Sequence, residues 1–406
     1  MGINVENNRG LVVAYIVGRY PALSESFIRN EARELIKIGV KLRILSLRSA
    51  LETDRNLAGL TSEEKVYCLE GNYRKGLHRV MMHSGLLIKD TSRYLRTLIW
   101  VLRNDGSWRL FKAAPYLVDK VKGADWIHGT FAWDQAGMAA ILSRLTGIPF
   151  SFAARAADIF VSQRRLPMKL REASFVVTIS EYNRRYLRGV CPDTAEKIHI
   201  IHSSHSPERF NYERKVPEDH LKILSVGRLI EKKGYSCLLQ ALGILKGNLG
   251  RPFQCRIIGS GPLEGPLCEE IMRLGISEQA ELAGPAAPED VLAEIASSHM
   301  VVQPCVRSAN GDQDGIPNVL MEAMWLGVPV ISTRLSGIPE LVQHERTGIL
   351  VQPGNHQDLA QAIQRLDTEP ELCQKLAQAG KEKVMREFNI HIEVKKLADL
   401  IRKRIP

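Results

Sequence analysis

The sequence predicts an α/β protein built from two doubly wound, Rossmann-like domains. Three observations carry the prediction. The chain has 406 residues, enough for two domains with sizeable cores. Each half alternates apolar runs of strand length with longer, glycine-stopped helical patterns, the rhythm of a parallel sheet. Between the halves, residues 203–220 are polar and carry Pro207 and Pro217, as a linker does. Two such halves place a ligand at the carboxyl ends of their strands, facing a shared cleft.

In the first half, residues 11–17 read as a buried strand and 24–38 as a helix that Gly39 ends. Ser24, Glu25 and Ser26 stand where that helix is capped. Residues 41–47 form the next strand, and 50–70 are polar and loop-like. Basic helical segments follow, then strand 126–128 and helix 135–146, stopped by Gly147. Strands 149–153, 175–179 and 197–201 complete this half, with Ser180 capping a helix at 181–188. In the second half, strands 223–226, 254–258, 280–282, 300–303 and 328–332 alternate with helices 234–246, 263–274, 291–296 and 318–326. Helices close the chain from about residue 357.

Apolar content of 45% and charged content of 25% are those of an ordinary globular protein. No apolar run approaches the ~20 residues of a membrane span. The first ten residues are polar and 11–17 is only strand length, so no secretory signal is expected. The seven cysteines lack any C-x-x-C spacing and read as reduced, cytoplasmic residues. The net charge is +10, and residues 73–122 hold eleven Lys or Arg against three Asp. Apolar residues recur among them at helical spacing: Leu77, Val80, Met81, Leu86 and Leu87, then Tyr94, Leu95, Leu98, Ile99 and Leu102. One reading is peripheral contact with the anionic inner face of a membrane, where a lipid-linked acceptor is found. The other is ordinary helices packing their apolar side on the N-terminal sheet. No nucleic-acid module accompanies the charge.

The densest chemistry lies at 314–330. Asp314 and Glu322 are eight positions apart, across Gly315-Ile316-Pro317 and the start of an apolar helix. A helix N-terminus offers unpaired N–H groups and the positive end of a dipole, which suits a diphosphate. Pro317 has no N–H, so Asn318 and Val319 are the better donors. A carboxylate accepts from paired hydroxyls, which suits a ribose or a hexose. Arg228 and Lys233 follow a buried strand; two fixed cations there neutralise a departing diphosphate. Lys232 competes with Lys233 for that role. Gly259 and Gly261 follow the next strand, where glycine permits close backbone approach. Gly18 reads as the first strand-to-helix turn.

Asp314 to Glu322 resembles the E-x7-E signature of retaining, GT-B-type glycosyltransferases of family 4. Other segments match in the same order. Residues 225–234, with Gly227, Arg228 and Lys233, look like that family's diphosphate-holding loop. Residues 257–263 look like its next glycine turn, and 336–340 and 347–353 like its late donor-domain loops. Residues 18–28 resemble members that build exopolysaccharides and other glycoconjugates. The resemblance spans nearly the whole chain and is strongest over 221–353.

It implies the GT-B fold: an acceptor-binding domain at 1–205, joined by a C-terminal helix at about 388–406 that crosses back, and a donor-binding domain at 206–387. It implies a hexosyltransferase that moves a sugar, with retention, from a UDP- or GDP-sugar to a hydroxyl of a glycan, lipid-linked or small-molecule acceptor. Arg228 and Lys233 would hold the diphosphate, Asp314 the donor sugar and Glu322 the ribose. Backbone around Gly18, Gly227, Gly259, Gly261, Gly284, Gly315, Ile316, Asn318 and Val319 would line the donor, with Gly284 near the base. His128 would serve catalysis, and Arg155, Asp158 and Glu25 the acceptor side. No cofactor is implied. Asp312 and Asp314 have the spacing of a metal-binding pair but belong to the sugar loop, so metal-independent chemistry is expected.

The chain departs from the family pattern in places. Asp314 replaces a Glu, Thr130 and Arg155 replace histidines, Ser204 a glycine and Ser206 an aspartate. Arginine is no base at neutral pH, but it can clamp an acidic acceptor or a phosphate. Two rivals share the architecture: a sugar-nucleotide epimerase, and a degenerate donor-binding partner without turnover.

Overall fold

The computed structural model describes residues 10–22, 25–51, 64–70, 76–103, 107–161 and 165–405. The predicted cap Ser24 lies outside them. The chain divides into two compact units. One takes the described residues up to Thr178, then Arg184–Ile201, and returns at Ile390. The other takes Ile179–Asn183 and His202–Asn389.

The first unit holds strands β1 (Val12–Arg19), β2 (Lys41–Arg48), β3 (Lys65–Cys68), β4 (Trp126–Gly129), β5 (Phe150–Ala154), β6 (Phe175–Thr178) and β7 (Ile198–Ile200). They form one parallel sheet in the order β3-β2-β1-β4-β5-β6-β7. Continuous apolar runs such as Val12–Val17 form its centre because both faces are covered. One face packs Phe111, Leu117, Met138 and Ile141. The other packs Ile28 and Leu35 from the helix Ser26–Lys37 against Ile390, Val394 and Leu397. Those last three come from the helix Ile390–Arg402 at the end of the chain.

The second unit holds β8 (Leu221–Val226), β9 (Phe253–Ile258), β10 (Ala280–Gly284), β11 (Met300–Gln303), β12 (Val330–Thr333) and β13 (Ile349–Val351). Their order is β10-β9-β8-β11-β12-β13, again all parallel. In both sheets the order reverses beside the first strand, and the rule for such folds puts ligands at the strand ends there.

Three expectations change. β1 runs through Arg19, so Gly18 lies in the strand, not in a turn. A Cβ there would stand 2.7 Å from Gln135 Nε2, so the glycine admits a neighbouring helix. β3 falls in a segment read as loop; it is a four-residue edge strand, too short and too polar for a period to show. β13, three residues long, likewise falls in a segment that reads as loop.

The basic region forms helices Leu77–Lys89, Thr91–Arg103, Trp108–Ala113 and Pro115–Val121. Its apolar residues divide between two faces. Trp100 and Val101 are buried, with Tyr94 and Leu98 packed on the same core. Leu77, Val80, Met81, Leu95, Ile99 and Leu102 face solvent.

Candidate active site

The carboxyl ends of β8 and β11 flank the order reversal of the second sheet. The loop after β8 carries Gly227 and Arg228, then a single 3-10 turn, Glu231–Lys233. Gly234 follows with φ +71°, and a Cβ there would stand 1.9 Å from the Pro304 carbonyl. Only glycine lets this loop lie against the exit of β11. The contact is fastened by Val306 N–H donating to the Lys232 carbonyl at 3.0 Å, and by Gln303 Nε2 donating to the Lys233 carbonyl at 3.2 Å.

Both lysines meet Asp314 here. Lys233 Nζ lies 2.7 Å from Asp314 Oδ2. Lys232 Nζ lies 3.3 Å from Asp314 Oδ1 and 3.0 Å from Asp312 Oδ2. Burial alone would lower the Lys233 pKa, but Asp314 outweighs it and the group is held above its usual range. Burial alone would raise Asp314, but the two ammoniums outweigh it and the carboxylate is held low. Both groups are therefore charged at neutral pH. Cys305 Sγ adds a weak bond to Asp314 Oδ2 at 3.5 Å. Arg228 is exposed and, among the described residues, makes no salt bridge.

This arrangement refines two expectations. Lys232 is nearly inaccessible and spans two carboxylates, so it organises the loop while Lys233 stands at the strand end. The carboxylates of the Asp-x-Asp pair are each taken by a lysine.

Asp314 leads to the helix Asn318–Trp325, which follows an N-cap, Pro317, that makes no side-chain capping bond. The first N–H groups of a helix have no partner within it, so those of Asn318 and Val319 point out of its end. Residue spacing alone does not indicate what holds this loop. Ser336 does so: its hydroxyl donates to the Asp314 carbonyl and lies 2.8 Å from that of Gly315. Ser336 has φ +47°, an uncommon conformation for serine, and accepts from Gly337 N–H at 2.5 Å.

Glu322 sits further along that helix with its carboxylate largely buried. Burial raises its pKa, and Arg209 opposes the rise. Its nearest basic side chain is His205, whose Nε2 lies 3.9 Å from Oε1. Burial pushes His205 down to about 3, so it is neutral, and among the described residues neither ring nitrogen has a hydrogen-bond partner. A buried carboxylate without a full counter-charge is suited to hydroxyl donors.

The predicted glycines have a second explanation. Gly227 N–H donates to the Ile258 carbonyl and Gly259 N–H to that of Gly284, each at 2.9 Å. Gly259 has φ +151°, and a Cβ there would stand 1.9 Å from the Gly227 carbonyl. At Gly261 a Cβ would meet the Leu229 carbonyl at 2.5 Å. The strand-end turns thus stack on one another, and this packing accounts for glycine at both positions. Gly315 and Ile316 belong to the loop that Ser336 holds.

The remaining predicted residues lie in the first unit. His128, at the end of β4, is buried, stacks on Tyr15 at 5.6 Å and shares a 2.8 Å hydrogen bond with Ser151 Oγ. Burial lowers its pKa to about 4, so it is neutral, and its Nε2 has no hydrogen-bond partner among the described residues. Arg155 pairs with Glu31 at 3.1 Å and lies over the Phe27 ring at 4.7 Å. Its charge is thus already answered within the unit, by a partner the sequence did not single out. Asp158 accepts backbone N–H bonds from Ala132, Arg155 and Ala156, the work of a loop clasp. Glu25 occupies the cap of its helix but makes no capping bond, and burial raises its pKa.

A family model described as glycosyl transferases group 1 matches residues 208–383. The amylovoran biosynthesis glycosyltransferase AmsK of Erwinia amylovora is 37% identical over 409 residues, covering 96% of this chain and 98% of that protein. The putative colanic acid biosynthesis glycosyltransferase WcaL of Escherichia coli K12 is 29% identical over 96% of this chain and 99% of its own. Among solved structures, a glycosyltransferase from Rickettsia africae superposes with TM-score 0.72 at 17% identity, over 97% of this chain and 98% of that one. Anabaena Alr3699/HepE in complex with UDP and glucose gives 0.73 at 16%, over 97% and 100%. These neighbours share the two-domain α/β GT-B fold. With a relative above one-third identity matched almost end to end, the chain belongs to the group 1 glycosyltransferases.

Proposed function

We propose that this glycosyltransferase moves a hexose from a UDP- or GDP-sugar to a hydroxyl of a growing glycan, with retention at the anomeric carbon. A glycan, lipid-linked or small-molecule acceptor all fit that chemistry; the relatives named for amylovoran and colanic acid biosynthesis favour an exopolysaccharide precursor. The solved neighbour's complex with UDP and glucose favours UDP, and a GDP-mannose-dependent mannosyltransferase of Mycobacterium tuberculosis, 29% identical over 44% of this chain and 47% of its own, favours GDP. The second unit takes the donor and the first the acceptor.

The observation that carries the reading is the ion pair of Lys233 and Asp314 at the strand ends, 2.7 Å apart, beside exposed Arg228 and an uncapped helix start. Arg228 and Lys233 stabilise the diphosphate as the anomeric C–O bond breaks. The acceptor oxygen bonds the same face of the sugar, and its proton passes to the leaving phosphate oxygen. No side-chain base is required. Asp314, already ionised, accepts from a sugar hydroxyl, and Glu322 accepts from the ribose. The reaction is metal-independent, because the two ammonium and guanidinium charges do the neutralising and lysines take the Asp312 and Asp314 carboxylates. The seven cysteines are all unbridged, which suits a reducing cytoplasm.

The test is a thermal-shift panel of UDP, GDP, ADP and TDP, followed by transfer from the matching sugar nucleotides in the presence of EDTA. NMR of the product gives the anomeric configuration. Stabilisation by one nucleotide and an unchanged configuration support the reading. An inverted product, or full loss with EDTA, overturns the corresponding part. Altered free sugar nucleotide formed without acceptor marks epimerisation instead.

A further inference from the structure

The outer faces of the two basic helices carry an apolar surface that the reaction does not use. In the helix Leu77–Lys89 no residue is buried. Leu77, Val80, Met81 and Ile88 are 76%, 58%, 63% and 82% exposed. Their spacing puts them along one stripe of the helix. Beside it, Leu95, Ile99 and Leu102 form the exposed stripe of the helix Thr91–Arg103. The two helices are clasped by a 2.9 Å hydrogen bond between His83 Nδ1 and the Tyr94 hydroxyl, with the rings edge to face. The inner face of the second helix, with Tyr94, Leu98, Trp100 and Val101, packs on the core, so its outer stripe is not a set of spare core residues.

Charge identifies the occupant. Residues 77–103 contain Arg79, Lys89, Arg93, Arg96 and Arg103 against a single acid, Asp90, and Arg93 pairs with it. A second copy docked face to face would set this positive charge against itself. An anionic bilayer does the opposite: acyl chains receive the aliphatic stripes while headgroup phosphates meet the flanking Lys and Arg. No described helix is long and apolar enough to cross a membrane, so contact by this hairpin would be along the surface.

We propose that the outer face of the 77–103 hairpin binds the surface of an anionic phospholipid bilayer, seating its apolar stripes among the acyl chains. The binding is independent of donor and acceptor, so it stands or falls apart from the transfer chemistry.

The experiment is cosedimentation of the full chain, without sugar nucleotide, with vesicles of phosphatidylcholine alone or containing phosphatidylglycerol. The expected result is binding to the anionic vesicles only, weakened by salt. A variant carrying Leu77→Ser, Met81→Ser and Ile88→Ser should bind at least ~10-fold less tightly. Lys89→Glu with Arg96→Glu should lose binding similarly, whereas nucleotide binding by calorimetry should be unchanged in both variants. Equal sedimentation with and without vesicles overturns the proposal, as does undiminished binding by the serine variant. So does a dimer in light scattering that the serine substitutions dissolve, since the face would then belong to a second copy.

Discussion

Lys233 and Asp314 meet at 2.7 Å, each under 15% exposed, at the strand end where two parallel halves of a sheet diverge. The pair joins residues eighty-one positions apart and holds both in their charged forms. In the proposed reaction a donor diphosphate would share an ammonium that a carboxylate has already positioned. Lys233→Ala is expected to lower kcat/KM about 10²–10³-fold, the effect of removing one preorganised charge donor. Circular dichroism should show the fold retained, with Lys232 still bridging Asp312 and Asp314. Wild-type-like transfer by the variant would place the diphosphate elsewhere.

The same pair predicts a pH dependence of stability. Asp314 has a folded pKa below its reference value of 3.8, so its contribution is present above that pH and is lost as pH falls through the folded value. Lys233 has a folded pKa above 10.5, so its contribution is present below that pH and is lost as pH rises through the folded value. Asp314→Asn should therefore be less stable than wild type at neutral pH, with the gap narrowing below about pH 4. Urea midpoints for both proteins across pH 3–7 measure it; a pH-independent gap would contradict the ionic account.

Glu322 behaves in the opposite sense. Its folded pKa lies above 4.5, so ionisation works against the fold as pH rises. Glu322→Gln is expected to raise Tm by a few degrees at pH 7 and to have little effect below pH 4, while weakening nucleotide affinity roughly 10-fold or more. Differential scanning fluorimetry and calorimetry separate the two outcomes. Unchanged affinity would remove Glu322 from the ribose contact.

Ser336→Gly tests the loop support. Glycine accepts φ +47° without strain, so the substitution deletes the hydroxyl and spares the turn. Losing the bonds to the Asp314 and Gly315 carbonyls should cost about 1–2 kcal/mol and raise the donor KM more than it lowers kcat. Unaltered kinetics would mean that the loop is held by other contacts.

Much of this was legible in the sequence because both sheets are parallel. Strands covered on both faces read as continuous apolar runs, as at Val12–Val17 and residues 300–302. β3 and β13 escaped because three or four residues at a sheet edge carry no period. Arg228, Lys233, Asp314 and Glu322 were visible as charges beside strand and helix ends. The long-range ion pairs were not: Lys233 to Asp314 spans eighty-one positions, Lys232 to Asp312 eighty, Arg155 to Glu31 one hundred and twenty-four. Spacing cannot anticipate pairings that only the fold brings about. Gly18 was misplaced for a related reason, because a strand's last residues and a turn's first look alike until the opposing Gln135 is known.

The helix Ile390–Arg402 has a consequence for biosynthesis. Its Ile390, Val394, Leu397 and Ile401 cover Ile28 and Leu35, and His391 bonds Glu34 at 2.6 Å. During translation the opening third of the polypeptide leaves the ribosome with that greasy flank bare. The flank stays bare until residues 390–402 have been made. A nascent chain stalled or clipped before residue 390 would carry a finished second unit and an unsealed first one, which makes it a ready client for chaperones and proteases.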